Sequence, residues 1–144
     1  MTDRSGLLTR PVVPVSDGDD ATETYDALRP EIDPAWCHQL VVSVVSATDG
    51  GGTTQRAATD RATDAVDRLA SLAAADGIDV ATEVLTGEDI AATIIQAAND
   101  SDASAIAFHS RGGSAWLDIV AGGVRTALIV TTDIPVVVLP ADEQ

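Results

Sequence analysis

Five short apolar segments recur along the chain and are separated by polar or helical stretches. They are Pro11–Ser16, Gln39–Ala47, Ile78–Leu85, Ala103–His109 and Ile134–Leu139. Most of them are near-continuous runs of Val, Ile and Ala, and Ile78–Leu85 alternates with a period of two. Runs of this kind are typical of strands that are buried on both faces, as in a parallel sheet.

The stretches between these segments carry helical spacing. Helices are predicted at Asp20–Leu28, Thr54–Ala75, Glu88–Asn99 and Gly123–Val130. The clearest is Thr54–Ala75, in which apolar side chains recur every three or four residues as Ala58, Ala62, Ala65, Leu69 and Leu72. Gly77 follows this helix, as a C-terminal glycine does, and Pro30 stops the first one.

Strands and helices therefore alternate along one domain, residues 1–144, with residues 1–10 as a polar, flexible tail. This alternation predicts an α/β fold, a three-layer sandwich around a five-stranded parallel sheet with right-handed crossovers. Pro14 cannot donate to a strand ladder, so we expect it near a strand end or at a bulge. With strand order 3-2-1-4-5, a ligand would bind where the winding reverses, near Ser16–Asp20 and His109–Gly123.

Charge excludes several functions. The 144 residues include 8 Lys+Arg against 23 Asp+Glu, a net charge of −15, and every basic residue is an arginine. Mechanisms that need a lysine in a phosphate loop or Schiff base are therefore excluded, and nucleic acid is not an expected partner. We take the acidity as adaptation to a salt-rich cytosol. No signal peptide or membrane-length apolar run is present, so a cytoplasmic location without membrane association is expected.

The loop after the fourth strand contains two glycine pairs, Gly112-Gly113 and Gly122-Gly123. Glycine allows backbone N–H groups to approach an anion, and the second pair opens a helix whose N-terminal end favours the same anion. Arg111 and Arg125 add positive charge there. Ordinary loop glycines are an equally good interpretation on these residues alone.

Other polar clusters have simpler interpretations beside the functional one. Asp17, Asp19 and Asp20 are compatible with a divalent cation, but a turn in which Asp19 or Asp20 caps the first helix is the commoner arrangement. Cys37-His38 lacks the further ligands that a zinc site needs. No serine lies in a Gly-x-Ser-x-Gly elbow. We therefore predict neither a resident metal nor a catalytic residue.

The motifs resemble those of the universal stress protein family from Pro11 to Pro140. Residues 13–18, Val-Pro-Val-Ser-Asp-Gly, resemble the family's opening Val-Pro-Val-Asp-Gly with one extra residue, Ser16. Residues 134–140 resemble its last strand. Gly112 and Gly122, with nine residues between them, match the second and third glycines of the family's nucleotide motif. The acidic composition marks the chain as similar to a salt-adapted, haloarchaeal-type member.

The resemblance implies a Rossmann-like fold with strand order 3-2-1-4-5, and a homodimer that pairs through the last strand, Pro135–Leu139. It also implies that ATP or AMP binds, with Asp17 near the base and Gly112, Gly122 and Gly123 at the phosphates. A divalent cation that binds together with the nucleotide is a further possibility. The full set of expected binding residues is Ser16, Asp17, Val42, His109, Ser110, Arg111, Gly112, Gly113, Gly122, Gly123 and Val124.

Two positions depart from the family's pattern. His109 stands where the first glycine belongs, and Gly123 stands where a phosphate-binding Ser or Thr belongs. One lost hydrogen bond to a charged group weakens binding by about 10- to 100-fold. The leading hypothesis is a non-enzymatic, nucleotide-binding stress protein with at most slow ATP hydrolysis. The alternative is a dimeric interaction module of the same fold that binds no nucleotide.

Overall fold

The computed structural model describes residues 8–46, 53–109 and 134–139, and these residues contain five strands and three helices. The strands are β1 Pro11–Pro14, β2 His38–Ser46, β3 Asp79–Gly87, β4 Ala105–His109 and β5 Val136–Leu139. The helices are α1 Gly18–Leu28, α2 Thr53–Ala75 and α3 Ile90–Asp100. Two 3₁₀ turns, Arg29–Glu31 and Pro34–Trp36, connect α1 to β2.

Each of these strands and helices was predicted from the hydrophobic pattern, and the observed ends lie close to the predicted ones. The predicted helix Gly123–Val130 lies outside the described residues. Pro14 is the last residue of β1, as its missing N–H requires.

All four strand pairings are parallel, and the order is β3-β2-β1-β4-β5. The predicted five-stranded α/β architecture is thus confirmed. β1 lies at the centre of the sheet, with Val12 opposite Leu40 on one side and Ile106 on the other. The winding reverses between β1 and β4, where the sequence predicted a ligand site.

Alternating side chains of the strands build two apolar layers, one on each face of the sheet. On one face, Val13 and Val41 pack with Leu28 of α1 and Leu69 of α2. On the other face, a second buried cluster includes Ile94 of α3. Because residues i and i+1 of a strand point to opposite faces, a strand buried on both sides must be apolar throughout, as β1 is.

The C-terminal end of α2 follows the predicted glycine stop. Gly77 has φ +79°, and the N–H of Ile78 donates to the carbonyl of Ala73 at 3.0 Å. This 6→1 hydrogen bond with a left-handed glycine closes the helix and turns the chain into β3.

Leu8–Arg10, which the sequence placed in the tail, pack against the sheet. Leu8 is buried in the core, and the N–H of His38 donates to the Thr9 carbonyl at 2.7 Å.

Within the described ranges, no helix combines the length and apolarity that crossing a bilayer requires.

Candidate functional site

A step in the sheet marks the candidate site. β1 ends at Pro14, opposite Val42, whereas β2 continues to Ser46 alongside β3. The N–H of Val15 still donates to the Val42 carbonyl at 2.9 Å. The chain then leaves the sheet beside the part of β2 that extends past β1, so the following residues line the carboxyl edge next to the reversal in winding.

Asp17 is the N-cap of α1. Its backbone is extended, and its Oδ1 accepts the Asp20 N–H at 2.8 Å. The prediction that Asp19 or Asp20 caps this helix is therefore wrong, because α1 begins earlier, at Gly18. Capping engages one carboxylate oxygen of Asp17. Its Oδ2 has no hydrogen bond among the described residues and is available to a donor.

Asp20 points inward rather than into solvent. It is 3% exposed, and its Oδ2 accepts both the Ser16 N–H at 2.8 Å and the Ser16 O–H at 3.1 Å. Its Oδ1 accepts the Thr24 O–H at 3.2 Å. Burial raises the pKa of Asp20 above its usual value, although the hydrogen bonds from Ser16 and Thr24 oppose that rise. Asp20 thus ties the loop after β1 to the first turns of α1.

This network was missed in the sequence, where Asp20 was interpreted as one of three clustered acids that either cap the first helix or hold a cation. The available signal was the spacing, because hydroxyl residues stand four positions before and four positions after Asp20. On a helix, positions i and i+4 are neighbours, so Thr24 is placed to donate to Asp20.

Val42 belongs to the core. Its side chain is 0% exposed and packs in the cluster on the α3 face, and its carbonyl accepts the Val15 N–H. Its backbone lies opposite Pro14, the residue at which β1 ends.

The remaining predicted binding residues are largely beyond the described part of the chain. His109 is the last residue of β4, opposite Leu139 of β5. Its backbone therefore reaches the same carboxyl edge as the end of β1. The other predicted residues, Ser110, Arg111, Gly112, Gly113, Gly122, Gly123 and Val124, lie outside the described residues.

Arg68 of α2 is a further residue near the site, and it is absent from the binding residues predicted from the sequence. Its guanidinium lies 3.5 Å from the position that a Cβ on Gly18 would occupy, and it donates to Thr22 Oγ1 at 3.3 Å. Arg61, one of its neighbours along α2, lines the same open cavity of about 600 Å³. Asp64 and Asp67 also line it, so its walls carry both signs of charge.

The candidate metal ligands do not assemble in the described ranges, where no group of three His, Cys, Asp or Glu side chains is placed to hold an ion. Cys37 is buried, and burial raises the pKa of its thiol to about 11. The adjacent His38 is exposed, and its Nδ1 lies 3.0 Å from Oδ2 of Asp79. A protonated, buried thiol is neither a ready nucleophile nor a ready ligand.

Several solved protein structures are similar to this fold. Solved structures that resemble it include a universal stress protein from Archaeoglobus fulgidus, with TM-score 0.65, 21% identity, and coverage of 90% of this chain and 97% of that one. A structure of the Archaeoglobus fulgidus universal stress protein in complex with dAMP gives TM-score 0.64, 20% identity, and coverage of 90% and 96%. A universal stress protein in complex with cAMP gives TM-score 0.65, 12% identity, and coverage of 92% and 97%.

These TM-scores establish a shared fold. No curated protein sequence matches the chain. The sequence model of the universal stress protein family, by contrast, matches residues 12–140, which include every described strand and helix apart from the first residue of β1. The chain therefore belongs to the universal stress protein family.

Proposed function

We propose that the chain is a cytoplasmic stress-response protein that binds an adenine nucleotide at the carboxyl edge of the sheet. The observation that carries this proposal is the step at the winding reversal, where β1 stops, β2 continues and the Ser16–Gly18 loop is held in place. Open α/β sheets bind ligands at such a point. Similar structures of the family contain dAMP or cAMP.

The described residues are suited to binding the adenine ring of such a nucleotide. Asp17 retains one carboxylate oxygen that can accept a hydrogen bond from the exocyclic amino group of adenine. Ser16 cannot use its N–H or O–H, because both donate to Asp20. The phosphates would then depend on the loop from His109 to Val124, in which Gly112, Gly122 and Gly123 are the proposed contacts.

The proposed protein acts by binding rather than by turnover, with at most slow ATP hydrolysis. Two copies would pair through the last strand, Pro135–Leu139, and a divalent cation would enter only with the phosphates. The high acidity supports a salt-adapted, haloarchaeal-type member.

The test is equilibrium dialysis of the full chain against ATP, AMP and adenosine, with and without Mg²⁺. We expect binding below millimolar concentrations. Asp17→Ser retains a good N-cap but removes the carboxylate. It should weaken adenosine binding by about 10-fold or more, since a hydrogen bond to a charged group is lost.

Asp19→Asn, which removes an exposed carboxylate from the same turn, is the matched control and should bind like the parent protein. Absence of binding at millimolar nucleotide would defeat the proposal. Equal binding by Asp17→Ser and Asp19→Asn would remove Asp17 from the site.

The alternative, an interaction module without nucleotide, draws support from the same network. Ser16 and the Val42 side chain are both engaged in internal packing or hydrogen bonds. The same contacts would be present if this region only stabilised the fold and bound no ligand. The dialysis experiment separates the two functions, because the interaction module binds none of the three ligands.

A further inference from the structure

β3 forms an open edge of the described sheet. It pairs with β2 along its whole length, from His38 opposite Asp79 to Ser46 opposite Gly87. Among the described strands, none lies on its other side. A nine-residue edge strand presents a row of N–H and C=O groups that can pair with another extended chain.

A groove of about 440 Å³ runs beside this edge, between β3 and one flank of α3. β3 contributes Glu83 and Leu85, and α3 contributes Ala92, Gln96 and Asp100. The three α3 residues are spaced by four, so they form one line along the helix. Leu85 and the buried Ala97 give the groove an apolar floor.

One end of the groove is closed by tight packing. Gly87, the last residue of β3, has no room for a Cβ because the Thr93 hydroxyl of α3 occupies that position. Thr86, Asp89 and Thr93 line this end. At this end of the groove, strand and helix are therefore in direct contact.

The groove is acidic. Glu83, Asp89 and Asp100 line it, and none of the described arginines does. Asp89 uses Oδ1 to cap α3, and Asp100 uses Oδ1 to accept from Gln96 at 2.9 Å. Glu83 has no hydrogen bond or ion pair in the described part of the chain. Three carboxylates thus retain oxygens for a cationic partner.

These charges also select against a second copy of the chain. An edge-to-edge pair would bring two acidic grooves together, within molecules that each carry −15. Like charges opposed across strands are destabilising. The occupant that fits both the open edge and the charge is an extended, basic segment.

We propose that β3 and its groove bind an extended peptide with basic side chains at alternate positions, which adds to the sheet as a further strand. Main-chain hydrogen bonds to β3 supply affinity, and alternate side chains on one face reach Glu83 and Asp100. This site is separate from the proposed nucleotide site, since it lies at the sheet edge rather than at the winding reversal.

The probe is a fluorescent nonapeptide of alternating Arg and Val, titrated with the full chain and followed by fluorescence anisotropy. The double variant E83Q/D100N removes two groove carboxylates. The control D60N/D64N removes two exposed carboxylates of α2 and leaves the same net charge. We expect the groove variant to bind about fivefold more weakly or worse, and the control to stay within about twofold of the parent.

A second probe tests the strand. The same peptide, N-methylated at every residue, retains its charge but lacks the N–H donors on both edges, and it should not bind. Equal binding by the two double variants would overturn the proposal in favour of diffuse attraction to an acidic protein. Equal binding by the methylated peptide would overturn strand addition. Dimerisation that E83Q/D100N strengthens more than D60N/D64N does would assign the β3 edge to a second copy, because a dimer through the last strand should respond to the two variants alike.

Discussion

Asp20 shows how one residue can organise a loop that the sequence presents only as a run of acids. Its three donors come from Ser16 and Thr24, within four positions on either side. A buried carboxylate is unfavourable unless such donors compensate for lost hydration. The same contacts that make its burial tolerable fix the backbone at Ser16, next to the proposed ligand site.

The burial of Asp20 predicts a pH dependence of stability. Because its pKa is raised in the folded state, the folded chain holds this proton more tightly than the unfolded chain, whose pKa is near 3.8. The contribution of Asp20 to the free energy of unfolding is therefore greatest below about pH 3.8 and falls as the pH rises through the folded pKa. This contribution can be measured by urea unfolding of the parent and of Asp20→Asn from about pH 4 to 7.

The difference in unfolding free energy, parent minus Asp20→Asn, should decrease with rising pH. Subtracting the variant cancels the titration of the other carboxylates. Asp19→Asn controls for the loss of one charge in the same turn. A difference that grows with pH would show that hydrogen bonding, and not burial, dominates the pKa of Asp20.

At this scale the sequence predicts residue types better than roles. That an Asp caps α1 follows from the composition of residues 17–20, but which Asp does so depends on where the helix begins. The inward turn of Asp20 depends on the space under the loop, which only the packed sheet defines. Pro14 is the opposite case, because its missing N–H restricts its position whatever surrounds it.

At the scale of elements, a polar contact joins the two helices that cover one face. The Tyr25 hydroxyl of α1 donates to Oδ2 of Asp76, just after α2, and Arg29 Nε lies 3.3 Å from the same oxygen. Tyr25 is otherwise buried in the core. Burial and the Asp76 carboxylate both raise the pKa of Tyr25, so the hydroxyl remains protonated and able to donate.

Removing this hydroxyl should loosen the contact between α1 and α2. Tyr25→Phe retains the ring in the core but leaves Asp76 with Arg29 alone. We expect a loss of about 1–2 kcal/mol in unfolding free energy, at the lower end for a hydrogen bond to a charged group because Asp76 is partly exposed. Urea denaturation measures it.

Arg29→Gln removes the other partner and serves as the comparison. An exposed ion pair contributes about 0–1 kcal/mol, so this variant should lose less than Tyr25→Phe. The reverse order would mean that charge, rather than the buried hydroxyl, holds the two helices together.

The elements themselves were predictable because their patterns are local. The stripe from Ala62 to Leu69 specifies α2, and the apolar run around Val41 specifies a strand buried on both faces. The contact between Tyr25 and Asp76 was not predictable, since it joins residues 51 positions apart. The open groove at β3 likewise requires knowing that β3 is an edge, which depends on the order of all five strands.

At the scale of the whole molecule, the dominant electrostatic feature is the net charge of −15. Among the described side chains, Arg29 forms an ion pair with Asp76, His38 Nδ1 lies 3.0 Å from Oδ2 of Asp79, and both contacts are exposed. The exposed side of α2 carries Asp60, Asp64 and Asp67. Self-repulsion among such charges destabilises a compact state in dilute salt.

Salt should therefore stabilise this protein. Raising KCl from about 0.1 M to 1 M shortens the screening length from about 10 Å to 3 Å, so the melting temperature, followed by circular dichroism, should rise over that range. The double variant D60N/D64N begins with less repulsion and should gain less from the same salt. Sucrose at equal osmolality, which screens no charge, separates screening from general exclusion effects. A melting temperature that falls as KCl rises would reject salt adaptation, and an equal gain in the parent and the variant would place the effect outside the acidic surface of α2.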